Sequence, residues 1–144
     1  MWFVNVYDPS VDSEKSLFFE ELLSLLGAVD VPCCIGGDFN AFLDLEQKIG
    51  GAVNFTIIEM FRKFIQEAEL IDLPMLRGAY SWCNNLETPT FVHLDRFLVS
   101  PDFLSTFPDI LQVLLMKSIS DHNAVMLRED KLNWGSKPFK YFNV

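Results

Sequence analysis

Two polar residues follow a short apolar stretch of the sequence. Residues 31–35 predict a buried strand, and two glycines, Asp38, Phe39 and Asn40 come directly after it. The glycines are expected to let the backbone turn sharply at the end of the strand. Because residues two apart on an extended chain point to the same side, Asp38 and Asn40 should face one spot. A carboxylate beside a carboxamide suits a hydrated divalent cation or a phosphate, whereas a polar turn after a core strand is the simpler interpretation.

Further polar groups lie where other predicted strands end: Tyr7, Asp95, and the tripeptide Ser120-Asp121-His122. Open sheets collect ligands at strand ends, so these residues are candidates for the same site. A histidine needs a carboxylate to fix its tautomer and to stabilise its charged form, and Asp95 or Asp121 could serve His122. Taken singly, Ser-Asp-His is more often a turn, and Asp95 next to an arginine is compatible with an edge ion pair.

Composition limits the class of protein. The 144 residues are enough for one domain with a real core, and half of them are hydrophobic. The net charge is −9 and the pI about 4.5, which argues against tight, independent binding to nucleic acid. The same acidity is also expected where a site concentrates carboxylates for a metal. The sequence contains no run of about 18 apolar residues, so it predicts no membrane helix, and the three cysteines have no metal-ligand spacing.

Apolar periodicity predicts the elements that must position these residues. Helices are expected from Asp12 or Ser13 to Gly27, from Asn54 to about Leu70, and from Pro101 towards Phe107. Strands are expected over residues 3–7, 31–35, 80–83, 91–99, 112–117 and 124–127.

This order predicts an α/β (α+β) fold, a mixed sheet of about five or six strands with the two long helices on one face. We expect the domain to cover residues 1–128 and a linker to follow over residues 129–144. The strands are nearly continuously apolar and need cover on both faces, but the helices cover only one. An exposed apolar sheet face is therefore expected, and with it self-association of the chain.

Taken in chain order, the motifs resemble the endonuclease/exonuclease/phosphatase superfamily, which has the DNase I-like fold. They are Tyr-x-Pro, Gly-Asp-x-Asn, Tyr-Ser-Trp, Leu-Asp-Arg-Phe-Leu-Val-Ser and Ser-Asp-His. Within the superfamily, the chain is most similar to the apurinic-type endonuclease domain of plant LINE-type non-LTR retrotransposons. The similarity covers residues 4–127, and its most specific parts are residues 78–85 and 93–100. Residues 137–142 resemble the segment that leads towards a reverse transcriptase in those elements.

The resemblance implies a hydrolase that uses Mg²⁺, or Mn²⁺, to nick DNA and leave a 3′-hydroxyl that primes reverse transcription. Asp38 resembles the residue that orients or deprotonates the attacking water, and Asn40 the adjacent ligand of phosphate and water. His122 would contact the scissile phosphate and Asp95 would orient it. Asp121 would support the metal, and Tyr7 would donate a hydrogen bond to the phosphate.

Three departures from the family pattern shape the expectation. The family carries an Asn and a metal-binding Glu upstream of the first motif here, Ser10 stands where Tyr-x-Pro-Asn has its Asn, and the domain is acidic. We therefore expect the chain to be the C-terminal half of a four-layer DNase I-like sandwich and to be inactive without its N-terminal half. We expect the protein to be intracellular and, if it is functional, to be in the nucleus. A degenerate, non-catalytic remnant or interaction fragment is the alternative. Another superfamily branch, such as an inositol-phosphate or sphingomyelin phosphodiesterase, is disfavoured by the two specific motifs.

Overall fold

The two long helices pack on the same side of a four-stranded sheet. The computed structural model describes residues 1–116 and 119–130, in the order β1 (Trp2–Tyr7), α1 (Lys15–Gly27), β2 (Cys33–Asp38), β3 (Lys48–Ile49), α2 (Phe55–Glu67), β4 (Ile71–Asp72), β5 (Met75–Leu76), β6 (Trp82–Cys83), β7 (Phe91–Val92), β8 (Asp95–Val99), α3 (Pro101–Thr106), β9 (Ile110–Leu114) and β10 (Val125–Glu129). Short 3₁₀ turns at Asp12–Glu14 and Leu45–Gln47 precede α1 and β3. Of the linker predicted over residues 129–144, residues 131–144 lie outside the described residues, and Glu129 is the last residue of β10.

The mixed α+β class predicted from the sequence is confirmed, but the strands do not form one sheet. The largest sheet has the order β1-β2-β8-β4, in which β1 and β2 are parallel and the other pairs antiparallel. Two three-stranded sheets have the orders β10-β9-β5 and β3-β7-β6. The division follows from residues 91–99, which were predicted as one strand. The backbone leaves β7 at His93 and Leu94, and β8 then joins a different sheet from β7.

The main core lies between the four-stranded sheet and the helices α1 and α2. Ile35 of β2 and Leu98 of β8 are fully buried against it, as is Phe61 of α2. The rings of Phe19 and Phe61 stack 5.5 Å apart, and Phe39 lies 5.1 Å from Phe61. A second core of Cys34, Leu73, Val99 and Phe103 lies on the opposite side of the sheet, where α3 packs. The alternation of side chains along β2 and β8 thus assigns each residue to one of two cores.

Local sequence explains where the helices begin. The Asn54 side chain accepts a hydrogen bond from the Thr56 amide at 3.1 Å and caps α2. Ser100 caps α3 in the same way, with Pro101 in the first turn. Neither Asp12 nor Ser13 caps α1, contrary to the sequence prediction. Asp12 is drawn away because its Oδ2 accepts a hydrogen bond from Asn54 at 2.8 Å.

The glycines before Asp38 do not form the predicted turn. Both lie within β2, which continues to Asp38. A Cβ on Gly36 would come within 2.3 Å of the Phe97 ring, and one on Gly37 within 2.0 Å of the Val6 carbonyl oxygen. These glycines therefore permit close packing of β2 against its neighbours. The chain turns instead at Asn40, whose φ is +42°, so Asp38 and Asn40 are not on one extended segment.

Candidate functional site

Three of the predicted site residues lie in one row across the sheet. Tyr7 at the end of β1 pairs with Asp38 at the end of β2, and Asp38 pairs with Asp95 at the start of β8. Directly opposed residues on neighbouring strands project from the same face of a sheet. Ile35 and Leu98 lie an odd number of residues from Asp38 and Asp95 on the same strands, and they point into the core formed with α1 and α2. The row therefore lies on the opposite face of the sheet. Asp38 is buried, whereas Tyr7 is 76% exposed.

His122 completes a compact group with the two carboxylates of this row. Its Nδ1 lies 2.8 Å from Asp95 Oδ2, a hydrogen-bond distance, and its Nε2 lies 3.8 Å from Asp38 Oδ2. A carboxylate bonded to one ring nitrogen orients the imidazole and leaves the other nitrogen directed elsewhere. Of the two partners left open by the sequence, Asp95 is the one that bonds His122.

The loop that carries His122 is attached to β6. His122 and Trp82 form an antiparallel bridge, and the Cys83 amide donates to the Asp121 carbonyl oxygen at 3.1 Å. The Asn123 amide donates to the Ser81 carbonyl oxygen at 2.6 Å. These backbone bonds explain why a tripeptide far along the chain comes to lie beside β2 and β8.

Ser81 is a site-forming residue whose role sequence reasoning missed. It is fully buried, and its Oγ accepts hydrogen bonds from the amides of Leu94 and Asp95 at 3.0 and 2.8 Å. These amides belong to the point where the chain passes from β7 to β8, so Ser81 fixes the start of β8 and thereby Asp95. The only sequence signal was a serine between two aromatic residues of a predicted strand, which is too common to indicate this function.

Asn40 is held against the base of the row. Its amide donates to Asp38 Oδ1 at 2.8 Å, and its side-chain Nδ2 donates to the Asp8 carbonyl oxygen at 2.7 Å. The first bond orients the Asp38 carboxylate and leaves Oδ2 towards His122. The second fixes the carboxamide of Asn40, whose oxygen can accept from a ligand and whose other Nδ2 hydrogen can donate to one.

Asp121 lies beside this group but outside it. Its Oδ2 accepts a hydrogen bond from Trp82 Nε1 at 3.0 Å, and the residue is exposed. This bond, with a smaller contribution from the charge of His122, lowers the pKa of Asp121 below its ordinary value. Within the described residues, Asp38, Asp95 and His122 form the group of three acidic or histidine side chains whose ligand atoms all lie within 4.8 Å of one another. The assignment of Asp121 to a metal therefore stays a prediction.

The electrostatics of the group favour a bound cation. Burial raises the pKa of Asp38, and the charge of Asp95 raises it further, while the amide of Asn40 lowers it. Burial alone would lower the pKa of His122, but the hydrogen bond and charge of Asp95, together with the charge of Asp38, raise it above its ordinary value. Burial is thus the main cause of the shift at Asp38, whereas neighbouring negative charge outweighs burial at His122.

The donor set fits a divalent cation. Two carboxylates supply hard oxygen ligands of the kind that Mg²⁺ and Mn²⁺ prefer. The imidazole is already bonded through Nδ1, which suits a group that acts on substrate more than a ligand of Mg²⁺. Asp38 and Asp95 are thus the residues that could hold a divalent cation in this group.

Comparison with known proteins supports the fold. No family model matches the chain. A curated relative, the "Transposon TX1 uncharacterized 149 kDa protein" of Xenopus laevis, is 27% identical over 140 residues, covering 87% of this chain and 10% of that protein. Among solved structures, beta toxin 275-280 from Staphylococcus aureus has a TM-score of 0.60 at 13% identity, over 87% of this chain and 51% of that one.

The endonuclease domain of TRAS1, a telomere-specific non-LTR retrotransposon, has a TM-score of 0.59 at 15% identity, over 88% of this chain and 55% of that one. The fold is thus a mixed α+β fold similar to that of an endonuclease domain. The chain spans about half the length of these two structures and a tenth of the curated relative. The plant origin implied by the sequence motifs stays a prediction.

Within the described residues, no helix is both long and apolar enough to cross a membrane.

Proposed function

We propose that the chain belongs to a metal-dependent endonuclease of a transposon-type polyprotein and contributes the residues that hydrolyse a DNA phosphodiester bond. The observation that carries the proposal is the group formed by Asp38, Asp95 and His122, in which the imidazole bonds one carboxylate and faces the other. The likeness to the TRAS1 domain and the transposon relative supports DNA as substrate. Mg²⁺ is the proposed metal, and Mn²⁺ is expected to replace it.

In the proposed hydrolysis, each residue would have a distinct role. Asp38, held by the Asn40 amide, is placed to orient a water and accept its proton. His122, held by Asp95, keeps Nε2 available to donate to a phosphate oxygen. The exposed phenol of Tyr7 and the carboxamide of Asn40 are placed to bind the phosphate from the β1 and β2 side. A bound divalent cation would neutralise negative charge that develops on the phosphate and the leaving oxygen.

A covering partner is part of the proposal. The sheet face that bears the row also exposes Phe3, which is 69% exposed, and Tyr7. Next to it is a cavity of about 570 Å³, bordered by β1, β2, β8 and the loop of His122. We propose that this face is covered by a further half of the domain, which would also supply basic residues for DNA. Without that half, the face is expected to drive self-association.

The experiment is a plasmid-nicking assay with Mg²⁺. The isolated chain should not nick supercoiled DNA, whereas a chimera that adds the N-terminal part of the TRAS1 domain should. In the chimera, Asp38→Ala or His122→Ala should abolish nicking, and the matched control Asp30→Ala, at an exposed position before β2, should not.

Two results would change the proposal. Nicking by the isolated chain that Asp38→Ala stops would show that no second half is required. A folded chimera that binds DNA but never nicks it would favour the alternative, a remnant that retains the fold without the chemistry.

A further inference from the structure

A buried ion pair lies directly beneath the turn that carries Asp38 and Asn40. Asp8, the residue after β1, and Lys15, the first residue of α1, are 0% and 1% exposed. Lys15 Nζ donates to Asp8 Oδ2 at 2.7 Å. Aspartate and lysine are almost never fully buried unless they are paired, so the burial of each of these residues depends on the other.

Three polar links from this pair lead to residues 38–40. The Asp8 amide donates to the Asp38 carbonyl oxygen at 2.8 Å, which extends the β1–β2 pairing by one residue. The Asp8 carbonyl oxygen accepts from Asn40 Nδ2 at 2.7 Å, and Lys15 Nζ donates to the Phe39 carbonyl oxygen at 3.4 Å. Three consecutive residues of the candidate site are thus each bonded to one member of the pair.

Stability is a weak reason for such a pair. Desolvating two charges costs about as much as their attraction returns, and buried pairs are often replaceable by apolar residues without loss. Burial raises the pKa of Asp8 to about 6, although the hydrogen bond and charge of Lys15 lower it. Asp8 Oδ1 also has no hydrogen-bond partner in the described part of the chain. The pair is therefore expensive to hold in the core.

The turn at residues 38–40 needs such support. Asn40 has a φ of +42°, a left-handed conformation that is uncommon for residues other than glycine and persists when surrounding contacts fix it. The Asn40 amide in turn orients Asp38 Oδ1. Any movement of this turn changes where Asp38 Oδ2 lies relative to His122.

We propose that Asp8 and Lys15 are positioning residues of the candidate site. Their ion pair joins α1 to the turn after β2 and fixes the Asp8 main chain, whose carbonyl oxygen accepts from the Asn40 carboxamide and whose amide donates to the Asp38 carbonyl oxygen. The catalytic importance of Asp38 and Asn40 rests on the proposed function. The inference that the pair holds residues 38–40 in place does not.

The experiment compares three double variants by urea unfolding and by nuclear magnetic resonance of side-chain amides, without metal or substrate. Lys15→Met with Asp8→Val makes the pair apolar. Lys15→Gln with Asp8→Asn keeps a neutral hydrogen-bonding pair. Lys63→Met with Glu67→Val removes an exposed ion pair on α2 as the control. The Asn40 carboxamide signal is assigned by its loss in Asn40→Ala.

All three variants should unfold cooperatively. In the apolar variant, the Asn40 carboxamide should exchange with water at least about tenfold faster than in the unsubstituted chain, the factor for roughly one hydrogen bond. The neutral pair should restore the slow exchange, and the control should leave it unchanged. If the pair had a purely structural role, the apolar variant would alter the unfolding transition, and the exchange rate at Asn40 would change only as far as that transition does.

Unchanged exchange at Asn40 in a folded apolar variant would overturn the inference. If that variant does not fold, the near-isosteric single variant Asp8→Asn decides. Its Asn40 carboxamide should exchange faster than in the unsubstituted chain but less than tenfold faster, and a rate equal to that of the unsubstituted chain would overturn the inference. Failure of the nicking assay bears only on the proposed function, since no nucleic acid or cation enters this measurement.

Discussion

Asp38 and Asp95 are directly opposed in the antiparallel pairing of β2 and β8, and their carboxylate oxygens lie within 4.8 Å of each other. Like charges at directly opposed positions of a sheet destabilise it. The sheet tolerates them because the imidazole of His122 contacts both side chains, at 2.8 Å from Asp95 and 3.8 Å from Asp38. A cation between the two carboxylates would relieve the same repulsion.

Replacing Asp95 should act through His122. In Asp95→Asn, the negative charge that helps to raise the pKa of His122 is lost and the hydrogen bond to Nδ1 becomes a weaker, neutral one, so this pKa should fall. A titration of the imidazole signal by nuclear magnetic resonance measures it, because the chain has only two histidines. In the nicking chimera, the rate should fall about 10²- to 10⁴-fold, the usual contribution of a positioned proton-transfer group. A full rate with an unaltered titration would remove Asp95 from the site.

Removing the Ser81 hydroxyl should cost stability. In Ser81→Ala, the partly buried amides of Leu94 and Asp95 lose their acceptor, and the free energy of unfolding should fall by about 1–3 kcal/mol. Urea denaturation measures the loss. Ser105→Ala is the matched control, because its exposed hydroxyl donates to a helix carbonyl, and it should change stability by less than about 0.5 kcal/mol. Equal effects of the two substitutions would contradict this role of Ser81.

Two glycines should respond in opposite directions to the same methyl group. Gly36→Ala places a Cβ within 2.3 Å of the Phe97 ring and should destabilise the protein by about 1–3 kcal/mol. Gly27→Ala, at the end of α1, meets nothing within 4 Å and should be stabilising by up to about 1 kcal/mol. The comparison of thermal unfolding curves checks both values. A neutral Gly36→Ala would mean that β2 and β8 can separate without cost.

Stability should fall on acidification because of His93. Burial, with a contribution from the charge of Arg96, lowers the pKa of His93 from 6.5 to about 3. Below pH 6.5 the unfolded chain binds a proton that the folded chain does not bind until about pH 3. The unfolded state therefore holds more protons in this window, and the free energy of unfolding should decrease by up to about 1.4 kcal/mol per pH unit as pH falls.

The His93→Gln variant isolates this contribution. Across that pH range, the difference in unfolding free energy between the unsubstituted chain and the variant should shrink as pH falls. His122 has a raised pKa and acts with the opposite sign, but it is present in both proteins and cancels in the difference. A difference that stays constant with pH would show that His93 is not buried in its neutral form.

The sequence was informative where a pattern extends over several turns or strands. The apolar spacing of α1 and α2 and the run before Asp38 predicted real elements, because burial of one face requires such periods. Two-residue strands such as β3, β4 and β5 carry no period and were missed. The uninterrupted strand-like stretch from Phe91 onwards hid the change of sheet, which depends on the distant acceptor Ser81.

For the site, the residue types were readable but their relationships were not. The sequence offered both Asp95 and Asp121 as partners of His122, and only the register of β2 with β8 and the bridge to Trp82 places Asp95 there. Lys15 was not identified from the sequence, because nothing local indicates that it pairs with Asp8 beneath residues 38–40. Contacts that depend on tertiary packing leave no trace in local spacing.

The parallel pairing of β1 with β2 affects the order in which the chain can fold. A parallel pair cannot close as a hairpin, so α1 must fold back across the sheet before Tyr7 meets Asp38, and Asp95 and His122 arrive from still later segments. Non-local contacts of this kind form slowly, because the entropy of closing the loops is lost before the contacts form. The row of polar residues is therefore expected to form late in folding. Local unfolding of any one of the contributing segments would separate its members. Ligand binding at this row would report on the integrity of nearly the whole domain.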